Sequence, residues 1–112
     1  MDNCIFCKII KGELPSEKVY QDEEIIAFVD IKPQAPVHIL VIPKKHIDGA
    51  DTLPAEDAGL TGRLVIAAAR IAEQFHLSGG YRIVTNIGKD GGQTVRHLHF
   101  HLLGGEKLKD SY

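Results

Sequence analysis

A chain of 112 residues with 44% hydrophobic and 25% charged side chains is the length of about one globular domain, taken here as residues 1–112, and is too apolar for disorder. The formal net charge of -2 and a pI near 6.3, with Lys and Arg scattered along the chain, supply no electrostatic source for nucleic-acid binding. No apolar run approaches the roughly 20 residues of a membrane span, and the start "MDNCIFCKIIKG" carries an acid and too short a run for a secretory leader, so a cytoplasmic protein that binds neither nucleic acid nor membrane is expected.

In chain order, "CIFCKIIK" (4–11) places Ile5 with Ile9 and Phe6 with Ile10 at helical spacing, and Gly12 and Pro15 stop this short helix. "KVYQD" and "EIIAFVD", rich in Val, Ile, Tyr and Phe and separated by acidic turn residues, predict two antiparallel strands. After the loop "IKPQAP", the β-branched run "VHILVIP" between Pro36 and Pro43 predicts a central strand with His38 inside it. From Pro54 onward Leu60, Leu64, Ala67, Ala68, Ile71 and Phe75 recur every three or four residues, which predicts one long helix ended by "SGG" at 78–80. His76 near its end is expected to complement the helix dipole. "YRIVTN" reads as a strand, "IGKDGGQTV" as a polar glycine loop, and "HLHFHLL" (97–103) as the last strand. The expected fold class is α+β: an antiparallel sheet of about five strands, one long helix and a short N-terminal helix. Such a small sheet leaves open edges, and pairing with a second copy into a continuous sheet would cover one.

Alternation on a strand puts His97, His99 and His101 on one side, about 6.5–7 Å apart, with Leu98, Phe100 and Leu102 entering the core on the other. A solvated polar face, a metal site and a catalytic row all fit that pattern. The preceding glycine loop, with exposed N–H groups followed by Gln93 and Thr94, suits phosphate oxygens and favours catalysis. Imidazole is substantially neutral at pH 7 and attacks phosphorus without a separate strong base. The central His99 is best placed as nucleophile, with its neighbours fixing its tautomer or handling protons.

"HLHFHLL" resembles the His-x-His-x-His-x-x signature of the histidine triad superfamily. "IFCKIIKGELPSEKVYQDEEIIAFVD", "DIKPQAPVHILVIPKKHI" and "NIGKDGGQTVRHLHFHLLGG" are similar to segments of its Hint-like branch, the purine nucleoside phosphoramidases, so that the likeness runs from residue 4 to 105. The resemblance implies hydrolysis of purine nucleoside 5′-phosphoramidates through a nucleotidyl-histidine on His99, with His97, His101 and His38 in the proton network and no metal in the chemistry. It implies that Asn86, Gly92, Gln93 and Thr94 contact phosphate and leaving group. Asp30 would hold the ribose, and Ile5, Phe6, Ile9, Leu14, Phe28 and Ile31 would line the base pocket. It further implies a purine nucleotide as partner (AMP, GMP or adenosine derivatives) and a homodimer. Asp30 and Asn86 are also ordinary turn residues, and the apolar set is also ordinary core.

"CIFC" has the spacing of half a zinc site; the pair is otherwise redox-active or two small buried thiols. The resemblance implies a closed structural zinc site of Cys4, Cys7, His46 and His97, in which His97 is no longer a free proton carrier. The chain departs from its relatives at Val29, where some have His, at Thr94, where many have Ser, and in a short tail without tryptophan, which leaves leaving-group preference open. Two other readings stand beside the phosphoramidase: hydrolysis of dinucleoside polyphosphates, against which His101 speaks because a Gln there would suggest it, and a nucleotide-binding regulatory or scaffold protein with little turnover.

Overall fold

The computed structural model describes residues 3–110. Helix α1 (Ile5–Ile10) and strands β1 (Lys18–Gln21), β2 (Ile25–Val29) and β3 (Val37–Pro43) are followed by two 3-10 turns, helix α2 (Ala58–Gln74), and strands β4 (Tyr81–Val84) and β5 (Phe100–Gly104). The five strands form one antiparallel sheet in the order β1-β2-β3-β5-β4. This is the α+β architecture expected from the sequence, with the same two helices. Among the described residues no helix is long and apolar enough to cross a membrane.

β3 is buried from His38 to Pro43 without alternation, because both faces of the central sheet are covered. Odd positions Ile39 and Val41 join Ile25, Ala27, Phe100 and Leu102 against Leu64, Ala68 and Ile71 of α2. Even positions Leu40 and Ile42 join Ile26 and Phe28 against Phe6 and Ile9 of α1. Burying Leu64 and Ile71 completely stabilises the α2 layer by roughly 1.5–3 kcal/mol each. α1 is only six residues long, so it covers β2 and β3 and leaves the same face of β5 and β4 thinly covered. The histidines lie on that face.

Two helix boundaries differ from expectation. A 3-10 turn, Ala55–Asp57, precedes α2, and Phe75, read as a core position, is 37% exposed because the helix ends at Gln74. The stop comes before "SGG": Leu77 N–H donates to the Ala72 carbonyl and His76 N–H to that of Glu73, with His76 at φ 59. This is the paired hydrogen-bond arrangement that ordinarily places Gly in the left-handed position. His76 therefore terminates the helix through its backbone.

Candidate active site and metal cluster

The last strand begins at Phe100, three residues later than "HLHFHLL" suggested. Continuing the β3–β5 register past Val41↔Phe100 would bring Leu98 opposite Pro43, which has no N–H to donate and whose carbonyl is taken by His97 Nε2 at 2.9 Å. Leu98 N–H turns instead to the Ile47 carbonyl at 2.6 Å. Alternation nonetheless persists: Leu98 is buried in the α2 layer, while His97 and His99 pack against the Phe6 ring at centroid distances of 5.9 and 5.1 Å.

Hydrogen bonds to groups that can only donate or only accept fix the imidazole tautomers. His99 Nδ1 lies 2.7 Å from the His97 carbonyl oxygen, so Nδ1–H donates and Nε2 keeps the lone pair. The Gln34 N–H donates to His38 Nδ1 at 3.0 Å, so His38 carries its proton on Nε2. That N–H faces His101 Nδ1 at 2.9 Å and Asp30 Oδ2 at 3.4 Å. His38 Nε2–H thus bonds to His101 with the Asp30 carboxylate close beside it, and the His99 and His101 rings, edge to face with centroids 4.9 Å apart, set His99 next to that pair.

Burial holds all four imidazoles neutral. His101 and His97 are each pushed down to about 4, chiefly by burial, with neighbouring imidazoles adding to it and the Pro43 carbonyl opposing it at His97. Burial also lowers His99, and lowers His38 against the opposing pull of the Asp30 carboxylate. Nucleophilic imidazole must be unprotonated, and burial shifts His99 toward that form.

The polar loop between β4 and β5 brings Asn86, Gly92 and Thr94 to a cleft of about 670 Å³ shared with Asp30, His38 and His101. Asn86 Nδ2 donates to the Gly91 carbonyl at 2.9 Å. A Cβ on Gly91 would clash with the Ile87 carbonyl oxygen, and Gly92 has φ +87, so this tight turn admits glycine at both positions. The Gln93 amide is bonded within the protein: Nε2 donates to the carbonyls of Asp48 (2.7 Å) and Val95 (3.0 Å), and Oε1 accepts from Gly88 N–H (2.9 Å) and Arg96 Nη1 (2.6 Å). Asp30 also closes a turn, its Oδ1 accepting from Lys32 N–H at 2.8 Å. Of the apolar set, Phe6, Ile9 and Phe28 are buried together, whereas Ile5, Leu14 and Ile31 are exposed at 46%, 36% and 90%.

Cys4, Cys7, His46 and His97 converge, their donor atoms all within 4.8 Å of one another. His97 Nδ1 lies 3.4 Å from Cys4 Sγ and 3.7 Å from Cys7 Sγ, and His46 Nδ1 lies 3.2 Å from Cys7 Sγ. His46 Nε2–H donates to Asp48 Oδ1 at 2.8 Å and His97 Nε2–H to the Pro43 carbonyl, so both rings aim unprotonated Nδ1 atoms at the two sulfurs. Two thiols and two oriented imidazoles are a donor set that can hold a metal such as zinc. Burial, then the hydrogen bond to Cys4, raises the Cys7 thiol, a proton that metal coordination would displace. Asp30, His38 and His101 also come within 4.8 Å of one another, but the Gln34 N–H keeps the proton on the facing His38 nitrogen and suits that group to proton transfer.

Sequence reasoning missed Asp48, Pro43 and Gln34, which orient His46, His97 and His38. Asp48 had a signal, since it follows His46 by two residues. The other two act through main-chain atoms and left none.

An antiparallel sheet carrying alternating imidazoles beside a glycine-rich loop has the features of a histidine triad fold. The HIT domain profile matches residues 11–108, and the chain belongs to that family. It is 48% identical over 108 residues to the purine nucleoside phosphoramidase of Escherichia coli K12, covering 96% of this chain and 91% of that protein. Protein HitA of Neisseria gonorrhoeae is 45% identical over 104 residues, 93% of this chain and 97% of the relative. Among solved structures, a HIT family hydrolase from Clostridium thermocellum superposes with a TM-score of 0.95 at 47% identity, covering 99% and 97% of the two chains.

Proposed function

We propose that this chain hydrolyses purine nucleoside 5′-phosphoramidates through a nucleotidyl-histidine on His99. The observation that carries the reading is the His99 Nδ1–H bond to the His97 carbonyl, which leaves Nε2 as the free nucleophilic atom in a neutral, buried ring. The 48% identity to a protein named purine nucleoside phosphoramidase supports the substrate class.

In the first half-reaction His99 Nε2 bonds to phosphorus, the P–N bond breaks, and the amine leaves with a proton. The imidazolium so formed is stabilised by its Nδ1–H bond to the His97 carbonyl. In the second, water adds its oxygen to phosphorus and gives up a proton, the Nε2–P bond breaks, and nucleoside monophosphate is released. The His38–His101 hydrogen bond serves as the relay in both halves, giving a proton to the amine and recovering one from water. Asn86, Gly92 and Thr94 line the phosphate end of the cleft, Asp30 takes the ribose, and the apolar set around Phe6 and Phe28 takes the base. Zinc on Cys4, Cys7, His46 and His97 would fix the N-terminal helix to the start of the triad and supply no step of the chemistry. The sheet's open outer edges, on β1 and β4, support a homodimer, and the free CxxC thiols support a cytoplasmic setting.

The experiment is incubation with an adenosine phosphoramidate and, separately, a diadenosine polyphosphate, with His99→Asn as control. Release of AMP from the phosphoramidate by the wild type alone is expected. No release, or equal rates for wild type and mutant, would refute the mechanism; faster cleavage of the polyphosphate would move the substrate class.

A further inference from the structure

Resting on the nucleotide reading above, we propose that Gln93 is a positioning residue: its side chain clamps the phosphate loop to the neighbouring loop that carries His46 and Asp48, and acts on phosphate only through that loop. A primary amide has two N–H donors and an oxygen that accepts two bonds, and at Gln93 all four are matched within the protein. Both donors meet main-chain carbonyls, which also fixes which end of the amide is nitrogen.

The bonds span the loop from end to end. Oε1 holds the Gly88 N–H at its start, while the Gln93 N–H closes back on the Gly88 carbonyl at 3.0 Å. Nε2 bridges to Val95 at the loop's far end and, across 45 positions of sequence, to Asp48. Arg96 completes the clamp, donating to Oε1 while its Nη2 pairs with both Asp51 carboxylate oxygens at 3.1 and 2.9 Å. Gly91, Gly92 and Thr94, the cleft-lining residues, lie between or beside these fixed points and have no sheet partner of their own. A glycine-rich segment without ladder hydrogen bonds has many conformations to lose, so its placement depends on such side-chain anchors.

Gln93→Ala removes all four bonds. Gln93→Glu keeps the shape and the acceptor but turns an oxygen toward the Asp48 and Val95 carbonyls, so it should do at least as much harm despite being isosteric. Calorimetry with AMP and with adenosine, on the full chain, separates phosphate placement from general damage, because adenosine lacks the group that the loop would hold. Expected for both variants is AMP affinity about tenfold or more weaker with adenosine affinity within about twofold of wild type. Hydrogen exchange at the Gly88 amide should quicken about tenfold or more in Gln93→Ala, where its acceptor is lost. Equal weakening of AMP and adenosine, or unchanged AMP affinity, overturns the positioning role. Wild-type protein that binds neither compound would sink the nucleotide reading instead; the clamp is then decided by exchange, sustained if Gly88 quickens in Gln93→Ala and overturned if it does not.

Discussion

His99 donates its Nδ1 proton to the main-chain oxygen of His97 across 2.7 Å, while the His97 side chain points its own Nδ1 at Cys4 and Cys7. One residue therefore orients the proposed nucleophile with its backbone and joins the Cys4, Cys7 and His46 cluster with its ring. Substituting His99 by Asn removes the attacking atom and leaves that backbone in place. The phosphoramidase rate should fall by about 10⁴-fold or more with little change in melting temperature, measured by AMP release and by calorimetry.

Metal content tests the other half of that relationship. Protein purified without chelator should carry about one zinc per chain by elemental analysis, and Cys7→Ser should abolish it. Stripping the metal from wild type should lower the melting temperature, because an ion that binds only the folded cluster stabilises it. Absence of stoichiometric metal would remove the four-ligand proposal and leave the triad chemistry untouched.

Acid should weaken the fold through His101. Its folded pKa of about 4 lies below the ordinary 6.5, so between those values the unfolded chain binds more protons and stability rises with pH. The contribution is fully present above about pH 6.5 and is lost as the pH falls toward 4. Urea midpoints measured at steps from pH 7.5 to 4.5 should fall less steeply for His101→Gln than for wild type. Parallel pH profiles would show that His101 does not contribute.

The end of α2 offers a stabilising substitution. His76 adopts φ 59 in a position that suits Gly, and its backbone hydrogen bonds do not depend on the side chain. His76→Gly should raise stability by roughly 0.5–1 kcal/mol, read as a higher denaturant midpoint at an unchanged slope. A lower midpoint would mean that the imidazole makes a contact worth more than the strain.

Much of the fold was legible because its signals are local. "VHILVIP" is a β-branched run with a proline at each border, and Leu60, Leu64, Ala68 and Ile71 repeat at helical spacing; the structure uses them as a central strand and a core-facing helix. The start of β5 was not legible, since it depends on Pro43 lying opposite Leu98, two positions 55 residues apart that only the fold brings into register. Phe75 kept the helical period but fell beyond the residue at which the chain turns. At the site, alternating histidines and the CxxC spacing pointed to residues that do converge. The direction of the Gln93 amide, by contrast, is set by the Asp48 carbonyl, a main-chain group that sequence does not mark.

The bonds that hold the segment from Thr85 to His99 have a thermal consequence. Its neighbours β4 and β5 are laced into the sheet, whereas this segment is tethered at separate points: Thr85 Oγ1 to the His99 carbonyl, Asn86 to Gly91, Gln93 to Asp48 and His97 to Pro43. Point tethers fray one at a time, while a packed sheet melts cooperatively. On warming, turnover should therefore decline several degrees before the far-ultraviolet circular dichroism of the sheet and helices changes, and it should return on cooling.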